Sequence, residues 1–202
     1  MSMRKKIFFA FVLLLCAIPA ACAATPSLEL TPEDLVRLLN GVAGASESWP
    51  LGANGEKTRI PNPAYATKDG KKTFTIRLNP IATIAGPVDP KSGHMQSYAV
   101  DLLLSDAETI ARLSAPEPTS PTKEAARMYG AVCASLLLLN ADTADEFAGT
   151  YNKCKNFFAV DAGVKNKVET LRVNRHVSMR FSYTDKSPLP YILRRIEVFP
   201  AK

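Results

Sequence analysis

The spacing of hydrophobic positions predicts a first helix in residues 30–41, where leucines recur three and four positions apart. Thr31 and Asp34 have the spacing of a capping box, and Pro32 occupies the first helical position, where a missing N–H costs nothing. Glycine is common just past the C-terminus of a helix, so we expect Gly41 to end this one. The sequence therefore predicts an amphipathic helix whose two ends are both encoded locally.

Helical spacing returns in residues 121–140 and again after Thr143. The second half of the first stretch is apolar on nearly every side, which is typical of a helix buried at the centre of a domain. Asn140 suits its C-terminal end, and Thr143 with Glu146 provides a capping box for the helix that follows. We expect these two helices to pack as an antiparallel hairpin, preceded by a short helix near 106–113.

Alternation of apolar and polar residues predicts strands in the remaining segments. Residues 64–79 are typical of a hairpin that turns at Asp69 and Gly70, and residues 96–104 form another strand. Near the C-terminus, residues 168–184 are expected to form one strand that pairs with a final strand over 191–199. Together these elements predict an α+β fold, an antiparallel sheet with the helical hairpin packed on one face.

The first 23 residues have the pattern of a secretory signal peptide: three basic residues, an apolar run of about 14 residues, and small residues at 21–23. The run is shorter than the roughly 20 residues that a membrane-spanning helix needs. We therefore expect cleavage after Ala23, a mature chain without a transmembrane segment, and a single α+β domain over 24–202 in a bacterial periplasm. The alternative is a lipid anchor on Cys22, since small residues precede this cysteine as they do in lipoprotein signals.

Charge is distributed unevenly along the mature sequence. Residues 24–164 hold 13 basic and 16 acidic residues, whereas residues 165–202 hold nine basic and three acidic residues. Side chains an even number of positions apart share a face of a strand, so Arg172, His176 and Arg180 are expected to project together. With the neighbouring strand and the residue beside His176, the candidate site for an anionic partner comprises Arg172, Arg175, His176, Arg180, Arg194 and Arg195.

Two interpretations of this basic face are open. Arginine makes bidentate contacts with phosphate and carboxylate groups, so the face can bind an anionic component of the cell envelope or an acidic protein surface. The alternative is the solvated side of an antiparallel sheet, which is normally polar. Nucleic acid is not expected as a partner, because no aromatic residues that would stack on bases interleave with the arginines.

Cys133 and Cys154 lie on the two helices of the predicted hairpin, about eight residues before its turn and about twelve after it. At a rise of about 1.5 Å per residue, the two are displaced by only a few ångströms along the helix axes. In an oxidising compartment this arrangement predicts a structural disulfide, and closing a loop of about 20 residues would stabilise the fold by roughly 3 kcal/mol. The alternative is a pair of buried free thiols.

Trp49 lies in a long loop, residues 43–66, that holds three glycines and three prolines. Loops of this length inside a domain are often functional, which makes Trp49 a candidate recognition aromatic. The alternative is that its side chain folds back and fills the edge of the core beneath its own loop.

The chain contains none of the motifs of nucleophilic, phosphate-binding or zinc-dependent catalysis. A Ser-x-x-Lys at 120–123 lacks the companion motifs of the penicillin-recognising enzymes. The only histidines, His94 and His176, do not have metal-ligand spacing, so neither a metal nor a cofactor is expected. Paired acidic residues occur where helices are predicted to start, and the helix dipole accounts for them there.

These observations favour a non-enzymatic binding or accessory module of the bacterial cell envelope, and an inhibitor or immunity protein is a narrower version of this hypothesis. Its expected partner is an envelope protein or an anionic envelope component. The alternative is an envelope-directed hydrolase whose site is assembled from residues distant in sequence.

Overall fold

The computed structural model of the protein describes residues 28–47, 49–52, 54–105, 121–158, 165–186 and 192–201. The predicted signal peptide at 1–23, Cys22 within it, and the short helix expected near 106–113 lie outside the described residues.

Within the described ranges the chain forms three helices and seven strands, which confirms the predicted α+β class. The helices are α1 (Pro32–Ala45), α2 (Pro121–Leu139) and α3 (Ala144–Phe158). The strands are β1 (Ala64–Lys68), β2 (Lys71–Asn79), β3 (Ala82–Val88), β4 (Tyr98–Leu104), β5 (Asn166–Arg172), β6 (Val177–Asp185) and β7 (Ile192–Pro200).

All seven strands form one antiparallel sheet in the order β1-β2-β3-β4-β7-β6-β5. The first four strands form a meander, and the last three form a second meander that joins it through the β4–β7 pair. The helical hairpin α2–α3 lies in the connection between β4 and β5. As predicted, it packs on one face of the sheet.

The sequence of α1 specifies its start as expected. The Asp34 N–H donates to the Thr31 hydroxyl at 3.1 Å, and the Thr31 N–H donates to the Asp34 carboxylate at 3.3 Å. The prediction that Gly41 ends the helix is wrong, because α1 continues to Ala45. Ala43 beyond the glycine is buried in the core, so tertiary packing carries the helix past its local stop signal.

The hairpin between β1 and β2 turns where the sequence predicts. Asp69 and Gly70 both have positive φ, 51° and 72°, which is the backbone that a two-residue turn of this kind requires.

Strand β3 lies in a segment for which the sequence analysis predicts no element, and it contains Gly86 and Pro87, residue types that are common in turns. The structure shows why glycine occupies that position. A Cβ on Gly86 would lie 2.2 Å from the carbonyl oxygen of Ser97, which belongs to the segment entering β4. The backbone of that segment thus passes closer to β3 than any other residue would permit.

The continuous strand expected over 168–184 is wrong, because the chain reverses between β5 and β6. The Val173 N–H donates to the Val177 carbonyl at 3.0 Å, and the Asn174 side chain accepts from the backbone N–H groups of His176 and Val177, both at 2.8 Å. Asparagine stabilises such turns by bonding the backbone two residues on. The apolar alternation continues through the turn, which is why the sequence alone gave no sign of it.

The hydrophobic core lies on the face of the sheet that the three helices cover, called here the helix-covered face. Met179, Phe181, Ile196 and Val198 on this face have exposures of 1% or less. The opposite face, called here the open face, carries mostly polar and charged residues, and all described helices pack on the other side. Alternation along each strand therefore separates a core from a solvated surface.

The turn end of the helical hairpin is fixed to the sheet by side-chain amides. Asn140 donates to the Tyr98 hydroxyl at 3.2 Å and to the Leu136 carbonyl at 2.7 Å, and Asn174 donates to the Asn140 carbonyl at 3.0 Å. These bonds hold α2, β4 and the β5–β6 turn together at one end of the domain.

Candidate functional site

The structure does not bring the six residues of the predicted basic face onto one surface. The physical reason is the pleat: Arg194 and Arg195 are consecutive on β7 and therefore point to opposite faces. Arg172, Arg180 and Arg195 lie on the open face, Arg194 lies on the helix-covered face, and Arg175 and His176 lie in the β5–β6 turn. Arg172 and Arg180 therefore share a face as expected, whereas His176 lies in the turn instead of in the expected continuous strand, and Arg194 points to the other face.

On the open face, two of the predicted arginines are matched by carboxylates. Arg195 forms a bidentate pair with both carboxylate oxygens of Asp101, each contact measuring 2.7 Å, and Arg180 donates from two nitrogens to one oxygen, Oε2, of Glu197. Each pair joins neighbouring strands across the sheet. Their charges cancel locally, which matches the interpretation of this surface as a solvated sheet face.

At the β5–β6 turn the basic side chains bond to their own segment. The Arg172 guanidinium donates to the carbonyls of Asn174 and Arg175 at 3.2 and 3.5 Å, and Arg175 donates to the His176 ring at 2.7 Å. Arg172, Arg175 and His176 are all exposed. In this arrangement their hydrogen-bonding groups are used to order the turn.

Trp49 is buried, with 3% exposure, and its indole N–H donates to the Thr58 carbonyl at 2.7 Å. The loop is fastened to α1 as well, because the Asn40 amide both donates to and accepts from the backbone of Ile60, at 3.1 and 2.8 Å. The indole is thus not an exposed recognition aromatic; it folds back under its own loop. A buried Trp that keeps its N–H bonded is typical of a core position.

A cleft of about 420 Å³ lies between α2, α3 and the helix-covered face of the sheet. The α2 wall includes a row of small residues spaced four positions apart, Ala126, Gly130 and Ala134, which share one side of the helix. The floor includes Leu102 of β4 and Ile196 of β7. Because these α2 residues are short, the helix leaves space beside the sheet that larger side chains would have filled.

The α3 wall of the cleft is aromatic and partly exposed. Tyr151 and Phe158 line it, and Tyr151 is 42% exposed. Phe158 packs edge-on against Phe157, whose ring is fully buried. The core therefore holds the inner part of this wall in place, while its outer part faces solvent.

Two cations border the apolar walls. Arg194 is half-buried, with its guanidinium carbon 6.0 Å from the centre of the Phe158 ring, and Lys155 is exposed one helical turn before Phe158. Within the described part of the chain, neither cation forms an ion pair with a carboxylate. An aromatic face beside a guanidinium is a favourable contact, and it leaves the guanidinium N–H groups able to bind an anion.

Cys133 and Cys154 also line this cleft, and both are buried free thiols in the structure. Burial is the main reason that the pKa of Cys133 lies well above its usual value, and electrostatic repulsion from Cys154 raises it further. Burial also raises the pKa of Cys154 to about 12. Both thiols are therefore protonated at neutral pH, which makes them weak nucleophiles. The hairpin places the two cysteines at one site as expected, and the disulfide between them stays a prediction.

Tyr129 also lines the cleft and contacts strand β7. Its hydroxyl donates to the Arg194 carbonyl at 3.3 Å, and burial raises the pKa of this hydroxyl well above its usual value. The neutral phenol thus fixes the backbone that carries the Arg194 guanidinium.

Sequence reasoning identified Arg194 and the two cysteines but missed Lys155, the tyrosines and the small-residue wall. The available signal was the repeat of small residues every four positions in a helix that is otherwise rich in large apolar side chains. The repeat indicates a cleft only when the structure shows that this side of α2 faces α3 and the sheet.

No group of three or more potential metal ligands occurs in the part of the chain that the structure describes. None of the described helices combines the length and the apolar character that a membrane crossing requires. No known protein family matches the sequence, and neither a curated protein nor a solved structure resembles it closely enough to count as a match.

Proposed function

We propose that this protein is an exported, non-enzymatic binding module of the bacterial cell envelope that holds an anionic ligand in the cleft between α2, α3 and the sheet. The observation that carries the proposal is the pair of cations, Arg194 and Lys155, beside apolar walls without a carboxylate partner among the described residues. The sequence analysis also expected an anionic partner, but on the basic face of the strands, whereas the binding site proposed here is this cleft.

The cleft has the composition expected of a ligand site. Small-molecule sites typically measure 300–1,000 Å³ and combine mostly apolar walls with a few placed polar groups, and a volume of about 420 Å³ falls in this range. An apolar portion of a ligand gains by leaving water, whereas an anionic portion gains charge-assisted hydrogen bonds to a guanidinium that the protein already orients.

The envelope location rests on the signal-peptide pattern of residues 1–23. We further propose that Cys133 and Cys154 become bridged in that oxidising compartment, because both line one cleft on adjacent helices. The intact mass of protein recovered from its native envelope tests both points. We expect a chain that begins at Ala24 and lacks two hydrogens, and a chain that begins at an acylated Cys22 would establish the lipoprotein alternative.

The anionic naphthalene dye 1-anilinonaphthalene-8-sulfonate tests the binding function. We expect the native protein to bind one anionic dye per chain, and we expect Arg194→Gln to weaken this binding about tenfold, the effect of one charge-assisted contact. Arg77→Gln is the matched control, because Arg77 is exposed on the open face. Equal binding of the anionic dye to all three proteins would refute the proposed function.

A further inference from the structure

We infer that the ligand is a single-chain anionic amphiphile, an acyl chain ending in a carboxylate or a phosphate. This inference rests on the proposed function and adds the chemical class of the ligand. It follows from the dimensions of the cleft and from the position of its two cations.

The shape of the cleft favours one hydrocarbon chain. Its lining on α2 extends from Ala126 to Leu137, which at about 1.5 Å per residue is roughly 16 Å along the helix. Dividing the volume of about 420 Å³ by this length gives a mean cross-section on the order of 25 Å². Carbon atoms in contact lie about 4 Å apart, so one extended chain needs on the order of 20 Å² and two would need twice as much.

The volume also limits the length of the ligand. A small heavy-atom group such as a water molecule or a methylene occupies about 30 Å³, so the cleft encloses on the order of fourteen heavy atoms, and the remaining atoms of a larger ligand extend through its open side. Dodecanoate, with twelve carbons and two carboxylate oxygens, has this size. The apolar walls contain few polar groups that would have to be desolvated by such a chain.

The cations select the charge of the headgroup. Arg194 rises from the floor strand and Lys155 from α3, so an anion at the cleft would be approached from two elements at once. The guanidinium carbon lies 6.0 Å from the centre of the Phe158 ring, so the aromatic face borders one side of the guanidinium. A headgroup with two or three oxygens can accept hydrogen bonds from both cations, which an alcohol headgroup cannot do with comparable strength.

Filling the cleft provides a test that does not endanger the fold. Gly130 lies in the middle of α2 at the solvent-exposed border of the cleft, and a Cβ placed on it would meet no atom within 4 Å, so Gly130→Leu is accommodated and narrows the cleft. Gly149 in α3 is equally unobstructed and does not line the cleft. Gly149→Leu is therefore a matched control with the same substitution in the partner helix.

The experiment measures binding of dodecanoate, dodecyl phosphate and dodecanol to the full mature protein by isothermal titration calorimetry and by displacement of the anionic naphthalene dye. We expect one dodecanoate or dodecyl phosphate per chain and at least tenfold weaker binding of dodecanol. Gly130→Leu and Lys155→Gln should each weaken dodecanoate binding, by tenfold or more and by about threefold respectively. Gly149→Leu and Lys153→Gln, which alter residues outside the cleft lining, should not.

The outcomes separate the inference from the proposed function. If the dye binds through Arg194 but dodecanoate and dodecyl phosphate do not displace it, the ligand class is wrong and the binding function stands. If dodecanol binds as tightly as the anions, or if Gly149→Leu has the same effect as Gly130→Leu, the inference is also wrong. If neither dye nor amphiphile binds, both proposals fail. A preference between the carboxylate and the phosphate identifies the source, a free fatty acid or a single-chain phospholipid.

Discussion

Replacing Gly130 by leucine is expected to make the protein more stable while it removes ligand binding. Glycine in a helix interior costs about 0.8 kcal/mol relative to a good helix former, because the unfolded chain loses more freedom when it folds. A Cβ at this position meets no atom within 4 Å, so no steric penalty offsets the gain. Replacing Gly149 by leucine should give the same gain in helix propensity, so this variant serves as the reference for Gly130→Leu.

At Gly130 only, burial of the new side chain in the cleft adds a second contribution to the free energy of unfolding. Full burial of a leucine side chain is worth roughly 2 kcal/mol, so a leucine that half-fills the cleft gains about 1 kcal/mol. We therefore expect the free energy of unfolding to rise by about 2 kcal/mol for Gly130→Leu and by about 0.8 kcal/mol for Gly149→Leu. The difference of about 1 kcal/mol measures the open space itself.

Urea titrations monitored by circular dichroism provide the comparison, with equal m-values required so that the midpoints report stability alone. In a thermal scan the same difference corresponds to roughly 2–4 °C for a domain of this size. A Gly130→Leu protein that is less stable than the Gly149→Leu protein would refute the reasoning, since it would mean that the cleft is already filled. A stabilised variant that has lost its ligand would show that the empty space is maintained at a cost in stability.

Three further predictions concern the fold and the thiols. Gly86→Ala should destabilise the protein by more than about 2 kcal/mol in urea titrations, because its Cβ would clash with the Ser97 carbonyl; a loss below 0.5 kcal/mol would contradict the close approach of β3 and β4. The hydrogen bond from the Thr31 side chain lowers the pKa of Asp34 from 3.8. The stability that the Asp34 carboxylate adds is therefore fully present above pH 3.8 and is lost as the pH falls through the pKa of Asp34 in the folded protein. The native protein should accordingly lose its stability advantage over Asp34→Asn below pH 3.8. Because burial raises the pKa of Cys154 to about 12, iodoacetamide at pH 8 should modify the reduced native protein slowly and the urea-unfolded protein rapidly; equally rapid modification of both would show that the thiols are accessible. Oxidised protein carrying the proposed bridge should resist modification even in urea until a reductant is added.

Features encoded within a few neighbouring residues were predicted well. The capping boxes at Thr31 and Thr143 form as expected, with the Glu146 N–H donating to the Thr143 hydroxyl at 3.1 Å. The two-residue turn at Asp69 and Gly70 also forms, because positive φ is accessible to these residue types. In each case the partners are close in sequence, so no knowledge of the rest of the fold is needed.

Predictions failed where a local signal competed with packing. Gly41 did not stop α1, because the buried side of the helix continues to Ala43. The reversal at Asn174 was missed, because the alternation of apolar residues continues through the turn in phase. No element was predicted for β3, where Gly86 permits a close contact between strands that only the structure shows.

The sequence by itself determined the α+β class, the positions of the caps and the β1–β2 turn, and the placement of Cys133 and Cys154 on facing helices, since helical and strand periodicity are local properties. Only the tertiary structure decided that Arg194 enters the cleft while Arg195 pairs with Asp101 on the other face. A shift of one residue in strand register exchanges the faces, and the register depends on turns and partners that are distant in sequence. The cleft also depends on the tertiary structure, because it is the space left between α2, α3 and the sheet after these elements have packed.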